Sequence, residues 1–270
     1  MAKTSHRSTQ SSLVSRFTRR GERGRTPDRL VVIAATPRTG SSLLFTSLQA
    51  SGFAGDATEY FHSANFAWYL TGASRVTRRV KSPTVATERA STRAVRIALS
   101  RIADAHTTPD GTLSLKIMWS DMKSLLLDRG VDFDAFGVPI LWIRIRRDDH
   151  VAQAVSYARA AQTLSWQASR PERRVPVYDR DLIAQFYDRI EPENAAWDDY
   201  LAARGASPIQ VTYEELDLNY EATVRRVLDA IGATGVEVPP RQLSRQADHL
   251  NAEWAECFRV TLSTTGDSTE

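Results

Sequence analysis

The first sustained apolar run in the chain is Leu30-Val31-Val32-Ile33-Ala34-Ala35, with no polar position to alternate against. Such a run predicts a strand buried on both faces of a parallel sheet. The polar turn Thr36-Pro37-Arg38-Thr39-Gly40-Ser41-Ser42 follows, after which Leu44 and Leu48 recur four apart, so a helix is expected to begin near Gly40 or Ser41. Further strands are expected over 113–118, 139–145 and 208–211, each leading into helical spacing. The periodicity predicts helices over 59–70, 86–104, 120–129, 149–166, 180–203, 220–231 and 241–258, with basic connecting loops over 71–83 and 168–178. Strands alternating with helices imply an α/β domain, a parallel sheet flanked by helices.

Before Leu30 no such pattern exists. Residues 1–29 are rich in Ser, Thr and Arg, with only Leu13, Val14 and Phe17 as an apolar break, and are expected to form a disordered basic tail. The folded domain is expected over 30–258, followed by a flexible tail over 259–270. At 270 residues with 42% hydrophobic and 25% charged content, the chain can bury a sizeable core. Its single Cys257 excludes an internal disulfide framework, and its apolar runs are strand-sized rather than membrane-spanning. A cytoplasmic location with no transmembrane segment is expected.

Charge changes the picture once it is placed along the chain. The net value of +3 suggests an acidic partner such as nucleic acid, yet the first 29 residues hold eight basic and two acidic side chains. The remaining 27 basic and 30 acidic residues leave a slightly acidic body. Any anion site in that body must therefore be local, and nucleic acid is not the expected partner.

The first strand–turn–helix unit can supply one. A turn entering a helix gathers backbone N–H groups and the positive end of the helix dipole at one point. Gly40 permits close backbone approach; Thr39, Ser41 and Ser42 add hydroxyls and Arg38 a full charge. A merely polar, capped turn would look the same. An ATP-binding P-loop needs a second Gly and a Lys that this turn lacks, and the run Arg144-Ile145-Arg146-Arg147 stands where a metal-binding Asp would be wanted. Cys257 has no paired-His motif around it, and no metal site is expected.

Taken with other stretches in order, the turn resembles the loop by which sulfotransferases hold the 5′-phosphosulfate of 3′-phosphoadenosine 5′-phosphosulfate (PAPS). These stretches are Gly55-Asp56-Ala57-Thr58-Glu59-Tyr60-Phe61, Leu115-Lys116-Ile117-Met118-Trp119, Arg147 through Ser156, Arg159-Ala160-Ala161-Gln162-Thr163 with Trp166, and Arg245-Gln246-Ala247-Asp248 with Glu253-Trp254. The set resembles the bacterial trehalose 2-sulfotransferase family and spans about 30–258. It implies the sulfotransferase variant of the P-loop-nucleotide-hydrolase-like fold, PAPS as donor, no metal, and a homodimer.

The resemblance implies that Pro37, Arg38, Thr39, Gly40, Ser41 and Ser42 cradle the 5′ end of PAPS and that Arg147 and Ser156 bind its 3′-phosphate. Arg245 is a further candidate for the 3′-phosphate or the adenosine; a salt bridge to Asp248 would also explain it. The resemblance marks Glu59 as the base that takes the acceptor's proton, with His62 one helical turn on as the alternative. Arg38 is the first choice and Lys116 the second for stabilising the leaving group. An ordinary carboxylate is a weak base for a sugar hydroxyl unless partial burial raises its pKa. Trp68, Tyr69, Trp119, Tyr157 and Trp166 are candidate platforms for the acceptor, a carbohydrate or glycolipid with a trehalose-like sugar as one form. The competing readings are an ATP-dependent small-molecule kinase and a non-catalytic nucleotide or nucleic-acid binding protein.

Overall fold

Strand β1 (Arg29–Ala35) is central in a parallel four-stranded sheet of order β2-β1-β3-β4, where β2 is Thr112–Met118, β3 Ile140–Arg146 and β4 Ile209–Thr212. The computed structural model describes residues 26–53, 59–71, 87–166, 172–243 and 249–266. Residues 1–25, most of the expected tail, lie outside these, as does Arg245. The helices are α1 (Ser41–Ala50), α2 (Ser63–Thr71), α3 (Thr92–His106), α4 (His150–Thr163), α5 (Arg180–Ala202), α6 (Tyr213–Leu218), α7 (Tyr220–Ala230) and α8 (His249–Gly266).

The continuous apolar run of β1 is explained by its two partners and two covered faces. Leu30, Val32 and Ala34 enter one core layer with Val95, Leu99, Ile102, Trp142 and Trp197, under α2 and α3. Val31, Ile33 and Ala35 enter the other with Leu44, Leu48, Val224 and Val227, under α1 and α7. Every residue from Leu30 to Ala35 is at most 1% exposed. Burying each Val, Leu or Ile contributes about 1.5–3 kcal/mol, so a one-residue slip of the strand would be strongly disfavoured. The Trp197 indole Nε1 donates to the Ala35 carbonyl at 2.9 Å and ties the strand's carboxyl end to α5. A third cluster packs α4, α5 and α8 through Ala154, Val155, Ile183, Trp254 and Phe258.

The predicted strands are present, and the helices differ at informative places. The helix expected from residue 59 starts at Ser63, with Glu59 to His62 in the turn before it. The stretch expected as one helix over 120–129 is instead an α turn, Trp119–Asp121, a π segment, Met122–Leu126, and a 3-10 turn, Leu127–Arg129. Helix α8 runs to Gly266, past the end expected at 258. Helix α6 was not expected; Thr212 and Glu215 form its capping box. Among the described residues no helix is long and apolar enough to cross a membrane.

Candidate active site

All of the predicted site residues in the described part gather at the carboxyl edge of the sheet, where ligands of open α/β folds bind. β1 delivers the loop 36–40, β2 delivers Lys116, and β3 ends one residue before Arg147.

The loop is held in an unusual shape. Arg38 and Gly40 both lie in the left-handed region, at φ 68 and φ 77. Glycine adopts this without strain, and at position 40 it also leaves room: a Cβ there would stand 2.8 Å from Cδ2 of Tyr213. For Arg38 the same conformation costs about 1–3 kcal/mol and persists only if its surroundings impose it. They do. Gln153, fully buried on α4, donates through Nε2 to the Pro37 carbonyl at 2.7 Å and to Thr36 Oγ1 at 3.0 Å, while Thr39 Oγ1 donates to the Thr36 carbonyl at 2.9 Å. The Arg38 guanidinium donates to Ser156 Oγ at 2.9 Å and to the Trp166 carbonyl at 2.8 Å. Helix α1 starts directly after this loop with no side-chain cap and no acid in its first turn, which leaves its positive end facing the edge.

Gln153 is thus a positioning residue that sequence reading passed over as part of a helix. Gln153→Glu is expected to weaken nucleotide binding about tenfold at pH 8, because a carboxylate cannot donate to the Pro37 carbonyl. Binding should recover toward pH 5.5 as the new side chain takes up a proton and regains a donor. Titrations at both pH values check this, and a loss independent of pH would contradict the role.

Two cations meet beside the loop. Arg147 is 7% exposed, its guanidinium 4.5 Å from the centroid of the Tyr213 ring and its Nε 4.0 Å from Glu214 Oε1. Glu214 also accepts from the backbone N–H groups of Asp148 and Asp149, at 3.1 and 3.3 Å. Helix α6, absent from the sequence expectation, therefore builds the floor and wall of the Arg147 site. Its signal was the Thr-x-x-Glu spacing of Thr212 and Glu215. Burial, with the charge of Arg147 added, lowers the Arg38 pKa to about 10. Two guanidiniums held close enough to disfavour each other's charge form a site that an anion would stabilise.

Lys116 lies 3% exposed on β2, yet its ammonium donates to Ser42 Oγ at 2.9 Å and forms an ion pair with Glu59. Burial acts to raise the Glu59 pKa, but the charge and hydrogen bond of Lys116, aided by His62 and Arg38, outweigh it and hold the carboxyl below its ordinary range. The condition named for a stronger base, a pKa raised by burial, is therefore not met. Glu59 and His62 are not on one helical face, as the sequence suggested: both precede α2, and the His62 side chain is exposed. Asn65 Nδ2 instead fixes the Glu59 backbone by donating to its carbonyl at 2.7 Å.

Asp121 was also missed. It lies on the turn after β2, and burial together with the charges of Glu59 and Glu193 raises its pKa to about 7. Tyr157 is in electrostatic reach of it, and Arg189 balances Glu193 at 2.9 Å. A carboxyl raised in the folded state contributes proton-linked stability that is complete below the unfolded pKa of about 4 and is lost as pH rises through about 7. The thermal midpoint of Asp121→Asn should therefore exceed that of the parent by a margin that grows from pH 4 to pH 8, read by thermal denaturation across that range.

With this geometry in place, comparison with known proteins is decisive. The chain matches the Stf0 sulphotransferase family over residues 30–261. It belongs to the Stf0 sulfotransferases. Two curated relatives are similar over nearly the whole domain. The trehalose 2-sulfotransferase of Mycobacterium tuberculosis (strain ATCC 35801 / TMC 107 / Erdman) is 30% identical over 253 residues, covering 85% of this chain and 94% of its own. The trehalose 2-sulfotransferase of Mycolicibacterium smegmatis (strain ATCC 700084 / mc(2)155) is 30% identical over 255 residues, covering 84% and 93%. As an Stf0 sulfotransferase the chain has the parallel α/β architecture expected of it, and the loop, Lys116, Glu59, Arg147 and Ser156 all lie within the matched span.

Proposed function

We propose that this protein transfers the sulfuryl group of PAPS to a hydroxyl of a carbohydrate or glycolipid, a trehalose-like sugar being one form, with Glu59 as general base. The observation that carries the reading is the Ser42–Lys116–Glu59 chain: it joins an anion loop, a buried cation and a carboxylate at one sheet edge in a member of a sulfotransferase family.

The residues fit the donor's chemistry. Its phosphosulfate end would lie against the start of α1, where Ser41, Ser42, Thr39 and Gly40 offer hydroxyl and backbone donors and Lys116 a charge. Its 3′-phosphate would lie against Arg147 and Ser156, because a guanidinium presents paired donors to phosphate oxygens. Arg38 stands between the two ends, bonded to Ser156 on one side and continuous with the loop on the other. Because Lys116 touches both the loop and Glu59, we place it ahead of Arg38, the first choice from the sequence, as the cation that meets the leaving group, with Arg38 in support.

Glu59 takes the acceptor's proton as the hydroxyl oxygen forms its bond to sulfur and the bond from sulfur to the bridging phosphate oxygen breaks. Lys116 and Arg38 meet the charge that builds on that bridging oxygen. A sulfuryl acceptor and an anionic donor also explain why Glu59 is kept ionised: Lys116 holds it deprotonated before the reaction. Once the donor draws on the Lys116 charge, the carboxylate becomes the stronger base. Incubation with PAPS and trehalose tests the reading: the sugar should gain the mass of one sulfuryl group, and a phosphorylated product formed from ATP would favour a kinase instead.

A further inference from the structure

Three arginines mark the end of β3, and they meet three environments. Arg146 is exposed, Arg147 lines the site described above, and Arg144 is fully buried against α5. A buried guanidinium persists only if its donors find partners. The Arg144 Nε donates to Asp198 Oδ1 at 3.1 Å, its Nη1 to the Ile145 carbonyl at 2.9 Å, and its Nη2 to Asn194 Oδ1 at 2.8 Å. Asn194, Trp197 and Asp198 stand at i, i+3 and i+4 on α5, so a single helix face meets the carboxyl ends of β1 and β3.

The bonding continues from Asn194 into the loop, with a direction fixed at each step. Arginine can only donate, so the Asn194 amide turns its oxygen to Arg144. Thr36 Oγ1 donates to the same oxygen at 3.5 Å, the longest link of the chain. With its proton so directed, the Thr36 hydroxyl offers a lone pair to Gln153 Nε2 at 3.0 Å, and the second Nε2 hydrogen goes to the Pro37 carbonyl at 2.7 Å. Gln153 Oε1 is left without a partner among the described residues. Turned over, the amide would set that oxygen against the Pro37 carbonyl, acceptor against acceptor, so the chain from Arg144 holds it as it stands. All four side chains, Arg144, Asn194, Thr36 and Gln153, are buried, where such bonds gain strength and a misdirected one is costly.

The chain ends beside the strained residue, since Arg38, at φ 68, directly follows Pro37. Resting on the sulfuryl-transfer reading above, we propose that Arg144 and Asn194 are positioning residues for the nucleotide. From behind the loop they orient Thr36 and Gln153, which hold the Pro37 carbonyl and with it the left-handed turn that presents the loop to the donor. They act through the loop and not on the nucleotide itself. The basic run that stands where a metal-binding acid would be wanted thus divides in two: Arg147 serves the nucleotide, and Arg144 serves the loop.

The test is a double-mutant cycle on the full chain, read by calorimetric binding of 3′-phosphoadenosine 5′-phosphate (PAP). Asn194→Leu and Thr36→Val are near-isosteric and each removes one end of the link between helix and loop; each should weaken PAP about tenfold. The double variant should be at most about threefold weaker than the poorer single, because both changes break the same chain. Asn194→Asp and Thr36→Ser keep the bonding oxygen and should stay within about threefold of the parent. With PAPS the loss should fall on KM, while kcat at saturation stays within about threefold, because Lys116 and Glu59 keep their contact. Losses that multiply in the double variant, unchanged affinity in either single, or conservative variants as weak as the disruptive ones would overturn the proposal. If Asn194→Leu does not fold, the comparison of Thr36→Val with Thr36→Ser decides in the same way. A parent chain that binds no PAP would overturn the sulfuryl-transfer reading instead, and a crystal structure of nucleotide-free Thr36→Val then decides the inference alone: Arg38 outside the left-handed region supports it, and Arg38 unmoved defeats it.

Discussion

Glu59→Gln is expected to lower kcat at least about a hundredfold while PAP affinity stays within about twofold of the parent. The substitution keeps the side chain's size and its ability to accept from Lys116, so the loop, Ser42 and the buried ammonium retain their arrangement. What it removes is the carboxylate proposed to take the proton, which lies in direct contact with the buried ammonium of Lys116. Loss of turnover with intact nucleotide binding would place Glu59 in the chemical step. Near-normal turnover would move the base to His62, which is exposed, lies three residues on and still influences the Glu59 carboxyl electrostatically.

The second large effect concerns nucleotide recognition. Arg147→Ala should weaken PAP about a hundredfold but leave adenosine 5′-monophosphate, which lacks the 3′-phosphate, within about threefold of its parent affinity. A buried, charge-assisted pair of hydrogen bonds contributes about 1.5–3 kcal/mol for each bond, which sets the scale. The monophosphate is the internal control for folding: a variant that had merely lost its structure would lose both ligands. Arg147→Lys should fall between the two, since it keeps the charge over the Tyr213 ring but not the planar fork.

The strands were readable because each satisfies one strong local rule. β1 is a continuous apolar run because it is covered on both faces, and its ends are set by Arg29 and by the turn at Thr36. The shape of the loop between β1 and α1 was readable for a related reason: Gly40, the hydroxyl residues and Arg38 are adjacent in sequence, so their proposal as an anion site needs no tertiary information. Glu59 and His62 were misplaced because Tyr60, Phe61, Phe66 and Tyr69 mimic the spacing of a helix face. In the folded chain Tyr60 and Phe61 are buried from a turn. Asp121 and Gln153 were unreadable on principle. Each gains its role from residues far along the chain, Glu59 and Glu193 for one and the Thr36-Pro37 backbone for the other. Tyr213 and Glu214 fall between these cases, since the capping spacing at Thr212 announced a helix but not that its first turn would carry the Arg147 site.

The central claim is that the two Arg-centred sites at this sheet edge serve one nucleotide with anions at both ends. Calorimetric titration of the full chain with PAP and with ATP, in the absence of magnesium, tests it most directly. The account predicts tight 1:1 binding of PAP that depends on Arg147, with ATP bound at least about a hundredfold more weakly. Binding of ATP as tight as PAP, or PAP binding indifferent to Arg147, would contradict it.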